Sequence, residues 1–393
     1  GDELKESGEL AEEMGRDKYD LYAGVDVQAN GYNTPVKWNY LFPEGKEANT
    51  SLGLYCPSWT YDSSKTVEEF LEKEERFWVN EKGDPRKESS EEWKGISNNI
   101  VEKSPVTSLP FVTNFSMGNG EFFNIDGVKA SDDDWNHRGM MDVLPTYRWI
   151  VDNRNNKLEA DIDYKEAYYG GNSIKLEGSL ANGGRTRIKL YKTDLDLVNN
   201  SKVDIKYKET GGNASVKLEL VLKDKGSQII NLKSTKIGGE WIQGIADISQ
   251  FKNDEIQEIS LIVESTKDVS NYKLNLGQLS ITENNDKESI NKVSNLKVED
   301  FKVIDNSVGN VRLTWDKSGE DVSHYEIYME DSKGNKELVG ATPTNAFFIK
   351  DIKRELTKET NTKFIVRPVS ESFKINESNA SEVVVTWPQL EKP

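Results

Sequence analysis

The chain has 393 residues, with 51 Lys plus Arg against 68 Asp plus Glu, a formal charge of −17. That balance argues against a nucleic-acid binder, because phosphate contacts need a dense basic face. A single cysteine (Cys56) excludes intrachain disulfides and Cys-based zinc sites, and two histidines (His137 and His324) disfavour a His-rich metal centre or a Ser-His triad.

Apolar residues make up 35% of the chain and charged residues 30%, and no run of about 18 apolar residues is present to span a bilayer. Nine Trp, fifteen Tyr and thirteen Phe supply ample core material, which argues against disorder. The chemistry left to such a chain runs on carboxylates, amides and aromatics, the side chains that handle sugars.

The opening residues are polar and acidic and carry no signal-peptide pattern. Leu4, Leu10, Ala11 and Met14 fall on one face of a helix that should stop near Gly15. A strand-like run follows at once, so the chain is expected to begin inside a larger repeat. Residues 19–27, 51–56 and 109–115 are near-continuous apolar runs, as expected of strands buried on both faces. Between the second and third, Val67, Phe70, Leu71, Phe77 and Trp78 recur at helical spacing, with Thr66 and Glu69 as a capping box. The Glu/Lys-rich residues 68–76 read as that helix's solvated face. Strand, helix and strand imply parallel βα units. Three strands are too few to close a barrel, so the rest of the sheet is expected upstream.

From about residue 150 the pattern changes to period two. Residues 174–177, 203–207 and 216–220 alternate strictly, with Gly170-Gly171-Asn172 and Gly211-Gly212-Asn213 as turns. This predicts an antiparallel β-sandwich over residues 149–285, followed by a polar linker over 284–292. Residues 290–393 read as a second sandwich of seven short strands. A buried Trp315 without cysteines suggests a fibronectin type III-like module. Phe364 stands where such modules usually carry Tyr, so a tyrosine-corner bond should be missing.

In a parallel βα sheet, functional groups collect at the carboxyl ends of the strands. Three clusters lie there: residues 26–33, 55–61 and 114–120. Each joins an acid or amide to aromatics and glycine. Amides and carboxylates bind sugar hydroxyls, while flat rings stack on pyranose C–H faces. The alternative is that Trp59 and Tyr61 are core and that Asp26 and Asn114 cap local turns.

The segments VDVQANGYNT (25–34), SLGLYCPSWTY (51–61), ERFWV (75–79), PFVTNFSMGNGEFF (110–123) and WNHRGMMDVLPTYRW (135–149) resemble the closing strands of glycoside hydrolase family 85. These are endo-β-N-acetylglucosaminidases, which cut between the two core GlcNAc units of N-linked glycans. Residues 168–174 also resemble the family's post-barrel β-domain. The resemblance implies an α/β plus all-β chain. Residues 1–148 would be the C-terminal portion of a (β/α)8 TIM barrel, 149–285 a jelly-roll-like sandwich akin to carbohydrate-binding modules, and 290–393 a fibronectin type III/Ig-like sandwich.

It further implies substrate-assisted retaining hydrolysis, in which an Asn orients the 2-acetamido group and a Glu two residues later serves as acid and base. Asp26, Gln28, Trp59, Tyr61, Asn114 and Phe115 would line the site. Asp26 and Asn114 would bond glycan hydroxyls or the acetamido region, and Trp59 and Tyr61 would stack on a ring. No catalytic residue is expected in the chain itself. Asn119-Gly120-Glu121 has the Asn-x-Glu spacing but falls after the final strand, and Asn253-Asp254-Glu255 lies in the sandwich. The catalytic pair is therefore expected upstream, the chain alone inactive, and an N-terminal fragment of the same enzyme bound tightly to the exposed barrel face.

No cofactor is expected, although fold analogy allows a structural calcium ion in the first sandwich. A secreted or cell-surface bacterial location fits the composition. One rival reading is a non-catalytic glycan-binding protein or adhesin built on the two sandwiches. Another is a barrel glycosidase with a different bond preference. Of the remaining residues, His137 reads as a linker residue docking the sandwich rather than a metal ligand. Cys56 reads as an inert core thiol. Tyr168, Tyr169 and Trp241 read as either a sugar platform or core.

Overall fold

The computed structural model describes residues 2–284, 289–331, 334–354 and 360–389. Contacts divide the chain into two compact units, Gly1–Lys103 with Tyr147–Ile150, and Ser104–Thr146 with Val151–Pro393. The expected linker at 284–292 lies partly outside the described residues.

In the first unit, helix α1 (Asp2–Glu13) is followed by Gly15 at φ +74°, the left-handed stop that the sequence predicts. Its covered face differs from expectation. Gly8 and Ala11 are buried, whereas Leu10 and Met14 are exposed. Glycine allows the close approach here, since a Cβ on Gly8 would lie 2.6 Å from the Asn49 carbonyl oxygen.

Strands β1 (Tyr22–Asp26) and β2 (Ser51–Tyr55) pair in parallel, Tyr22 opposite Ser51 and Asp26 opposite Tyr55. Val25, Leu52 and Leu54 pack with Trp93, Ile96 and Phe77 of helix α2 (Val67–Trp78). The period of two places Tyr22, Gly24, Asp26, Ser51, Gly53 and Tyr55 on the opposite face. There Tyr22 is 71% and Tyr55 59% exposed. Burial on both faces is thus not found, because this two-stranded sheet is covered on one side only. Helix α2 opens on Thr66, whose Oγ1 accepts the Glu69 N–H at 3.2 Å. The Glu69 carboxylate takes the N–H of Lys65 instead of closing the expected box on Thr66. Phe77 is buried and Phe70 half-buried, but Val67, Leu71 and Trp78 stand exposed.

The second unit contains both sandwiches. In the first, one sheet runs in the order Lys233–Lys236, Ile242–Asp247, Ser201–Thr210, Val269–Glu283, Ser173–Leu180 and Lys157–Asp163. The facing sheet includes Ser215–Leu222, Glu255–Glu264 and Arg185–Asp196. Inward positions such as Leu176, Ile188, Ile205, Leu218 and Leu274 are fully buried, each contributing about 1.5–3 kcal/mol.

The third expected barrel strand behaves differently from the first two. Strand β3 (Phe111–Thr113) runs antiparallel to Val269–Glu283, with Phe111 opposite Ile281 and Thr113 opposite Leu279. Ser173–Leu180 pairs that long strand only as far as Leu276. β3 takes up the ladder groups beyond it. The contacts accordingly divide after Lys103, not at residue 148. Beyond β3, strands β4 (Met117–Gly120) and β5 (Trp135–Met141) form an antiparallel pair.

Among the described residues the C-terminal sandwich has seven strands. Ser294–Val303, Val308–Asp316 and Ala346–Lys353 make one sheet, and Lys336–Thr342, Val322–Glu330, Asn361–Ser370 and Ser381–Thr386 the other. Trp315 is buried edge-on to Tyr325, their centroids 5.2 Å apart. Phe364 is core, and it is the Tyr325 hydroxyl that accepts a backbone N–H, from Ser318 at 2.8 Å.

The two sandwiches meet at a buried polar chain. The Tyr169 hydroxyl lies 2.5 Å from His324 Nε2 and 2.7 Å from Glu326 Oε1. One proton assignment satisfies the network: Tyr169 donates to the carboxylate, His324 Nε2–H donates to Tyr169, and Nδ1 accepts from Ser323 at 3.0 Å. Glu326 also receives the Tyr328 hydroxyl at 2.7 Å and the Arg367 guanidinium. Burial pushes His324 down to about 4, so the ring is neutral in the fold.

Tyr169→Phe should leave Glu326 short of one donor and the His324 Nε2–H without its acceptor, and cost about 1–3 kcal/mol in urea unfolding. His324 ionises near 6.5 when unfolded and near 4 when folded. Its contribution is therefore complete above about pH 6.5 and is lost as pH falls to about 4. Thermal melting against pH should show that slope, and His324→Gln should flatten it.

Candidate functional site

At the end of β1, Asp26 is exposed and its Oδ1 accepts the Gln28 N–H at 2.9 Å. That is the local turn the sequence allowed for, with Gln28 exposed beside it. At the end of β2 the chain turns through Cys56, half-buried at φ +54°. Cys56 is therefore a turn residue, and the expected buried core thiol is not found.

The turn lays Trp59 against Gly31, where a Cβ would come within 2.1 Å of the indole. Trp59 meets Tyr32 edge-on at 5.0 Å. Lys73 Nζ stands 5.4 Å from the Trp59 ring centre, and the Arg76 guanidinium 4.0 Å from that of Tyr32. Such cation–ring contacts hold both rings in fixed orientations. Trp59 remains half-buried, while Tyr61 is exposed and edge-on to Phe70 at 5.7 Å. Asp26, Gln28, Trp59 and Tyr61 are thus all accessible at the carboxyl end of one parallel strand pair.

Asn114 and Phe115, in the second unit, are not accessible. Phe115, at φ +59°, is fully buried and stacks toward Tyr191 at 6.4 Å. Its expected place in a sugar-lined site is replaced by a place in the core. Asn114 is 1% exposed, and its Oδ1 accepts from Gln278 Nε2 at 2.9 Å. Asp142 Oδ2 collects the backbone N–H groups of Asn114 and Ser116 at 2.7 and 3.1 Å. Desolvation outweighs those bonds and raises Asp142 to about 6. Asn114, Ser116, Phe123, Trp135 and Asp142 line a pocket of about 120 Å³, whose far wall includes Ser323, His324 and Phe373. Asp142 escaped the sequence reading because it sits between apolar pairs in the 135–149 segment and looks like a spacer.

The remaining candidates resolve individually. Asn119 and Gly120 belong to β4, and Glu121 is exposed beyond it. Asp254 is a buried acceptor for its neighbours' N–H groups and Lys225. His137 accepts the Gly139 N–H at 3.2 Å and meets Thr342 Oγ1 at 3.3 Å, so it ties its strand pair to the C-terminal sandwich. Tyr168, Tyr169 and Trp241 are buried core. Among the described residues no group of three His, Cys, Asp or Glu side chains converges as a metal site, so side chains give the calcium expectation no support.

Residues 1–123 match the family model described as Glycosyl hydrolase family 85, and residues 293–389 match GH85 endohexosaminidases, C-terminal domain. The chain belongs to glycoside hydrolase family 85. This family 85 chain is 26% identical over 197 residues to cytosolic endo-beta-N-acetylglucosaminidase 1 of Arabidopsis thaliana, covering 49% of this chain and 26% of that protein. It is 24% identical over 226 residues to the cytosolic endo-beta-N-acetylglucosaminidase of Homo sapiens, covering 55% and 28%. The crystal structure of the glycoside hydrolase domain of Endo-D from Streptococcus pneumoniae R6 superposes with a TM-score of 0.79 at 26% identity, over 98% of this chain and 61% of that one.

The chain therefore spans about a quarter of the length of these curated relatives. The expected architecture, part of a barrel followed by β-sandwiches, agrees with the Endo-D superposition. The expectation of a secreted or cell-surface location is overturned, because the curated relatives are cytosolic enzymes of plants and animals.

Gly31→Ala should push the Trp59 ring off its seat and cost about 1–3 kcal/mol, read as a shift in tryptophan emission and a lower unfolding midpoint. Asp142 ionises near 3.8 unfolded and near 6 folded. It penalises the fold above about pH 6, and the penalty is relieved as pH falls toward 3.8, opposite in sign to His324. Asp142→Asn should consequently make the acid-side melting profile steeper.

Proposed function

We propose that this chain forms part of an endo-β-N-acetylglucosaminidase that hydrolyses the GlcNAc-β-1,4-GlcNAc core bond of N-linked glycans. The observation that carries the reading is the match of both ends of the chain to family 85. The accessible group Asp26, Gln28, Trp59 and Tyr61 supports it, since two rings and two hydrogen-bonding side chains follow the carboxyl ends of two paired parallel strands. Trp59 and Tyr61 stack on a sugar ring, and Asp26 and Gln28 bond its hydroxyls.

Bond cleavage proceeds by the substrate-assisted route. The acetamide oxygen attacks the anomeric carbon while a carboxylic acid protonates the leaving oxygen, and its carboxylate then activates water. The acetamide-orienting Asn and acid/base Glu come from a family segment beyond these residues. The open face of β1 and β2, with its exposed Tyr22 and Tyr55, receives that N-terminal segment.

Residues 1–393 alone should release no oligosaccharide from a high-mannose glycoprotein. The same chain combined with the segment that completes its barrel should release it and leave one GlcNAc on the protein. Trp59→Ala in the combined enzyme should reduce release at least tenfold. Retention of glycoprotein without release by the combined enzyme would refute the reading.

A further inference from the structure

The segment that carries Trp59 and Tyr61 cannot hold its own shape. Trp59–Asp62 is a single helical turn, and Ser58 before it makes no side-chain cap. One isolated turn fixes more backbone than its few hydrogen bonds repay. Its orientation must come from what packs against it, and that is one face of α2.

Positions 70, 73 and 74 of α2 stand at i, i+3 and i+4, so they are neighbours on the helix surface. Each meets a different residue of the turn. Phe70 meets Tyr61 edge-on. Lys73 Nζ stands 5.4 Å from the Trp59 ring centre. Its three protons go to the Ser63 carbonyl at 2.8 Å, Ser63 Oγ at 3.1 Å and Glu69 Oε1 at 2.8 Å. Ser63 Oγ in turn donates to the Trp59 carbonyl at 2.6 Å. Glu74 Oε1 accepts the Thr60 hydroxyl and is the nearer of two acceptors, since the Pro57 carbonyl stands at 3.2 Å. Phe77, one turn further on, is fully buried and fixes the same face to the core beneath the strands.

Burial separates these contacts from loose surface pairs. Thr60 is 1% exposed and the Lys73 side chain 14%. A hydroxyl bonded to a carboxylate is held about twice as firmly as one bonded to a neutral acceptor. Trp59 and Tyr61, by contrast, keep accessible surface. The helix thus grips the turn while leaving ring area for a ligand.

We propose that Lys73 and Glu74 are positioning residues of the glycan site. They set the orientation of Trp59 and Tyr61, and hence the affinity for a sugar ring, without touching the sugar. This role rests on the glycan reading above and adds the element that fixes its ring geometry.

The test is made on the chain combined with the segment that completes its barrel, its nine tryptophans replaced by 5-fluorotryptophan. The Trp59 fluorine resonance is the one lost in Trp59→Phe. Thr60→Val removes the hydroxyl that Glu74 holds, and Lys73→Met removes the ammonium but keeps the stem. Each should shift or broaden the Trp59 resonance and leave the other tryptophan resonances in place. Each should also raise KM for a high-mannose glycoprotein about tenfold with kcat within about twofold, the pattern of lost uniform binding. Thr60→Ser, which returns the hydroxyl, should restore both readouts. An unmoved Trp59 resonance, movement of all tryptophan resonances together, an unchanged KM, or Thr60→Ser behaving as Thr60→Val would overturn the proposal. No release by the unsubstituted enzyme defeats the glycan reading and this role with it. Intact release with an unmoved Trp59 resonance defeats the positioning role alone.

Discussion

A strand that outruns its neighbour must still pair its backbone. Val269–Glu283 extends past the last residue that Ser173–Leu180 can reach, and buried peptide groups left unpaired there would cost more than most side-chain contacts return. β3 supplies the partner, which fixes Phe111–Thr113 to the sandwich sheet. The residues just beyond inherit their places from that pairing. Phe115 turns left-handed into the core, Asn114 is held by Gln278, and Asp142 gathers the N–H groups that the turn leaves outside the ladder. A single ladder requirement thus decides which side chains are sealed and which face the pocket.

The junction between the sandwiches follows a second constraint, the burial of a carboxylate. Glu326 is fully buried, and a buried ion pair gives little net stability but is expensive to break. Arg367, Tyr328 and Tyr169 together satisfy it, and Tyr169 comes from the other sandwich. Misdocking the C-terminal sandwich would strand that charge, so the network selects one arrangement of the two. His137 and Thr342 reinforce it at the hairpin.

Period-two alternation made both sandwiches legible, because an antiparallel sheet with one covered face writes its burial into every second residue. The seven strands of the C-terminal module and the buried Trp315 were visible for the same reason. Apolar runs were less informative. Residues 22–26 and 109–115 look alike as sequences, yet one pairs in parallel with β2 and the other antiparallel with a strand about 170 residues later. Composition does not encode that choice. Among the candidate residues, the turn position of Trp59 and the strand-end position of Asp26 were readable from the sequence. Phe115 was misplaced because a backbone turn, invisible in the sequence, reverses the side on which its ring falls. Asp142 acquires its character only from the amides folded around it.

The order of synthesis gives the polar chain at Tyr169 a further meaning. The hairpin and first sandwich leave the ribosome before Ser323, His324, Glu326 and Phe373 are made. Until then the Tyr169 hydroxyl, the pocket's near wall and the apolar cluster of Phe123, Tyr168 and Trp241 all lack the cover that Leu338, Ala341 and Phe373 give them. The C-terminal sandwich therefore covers the pocket beside Asn114 and receives the Tyr169 hydroxyl, two tasks for which the first sandwich supplies no side chain of its own in this arrangement.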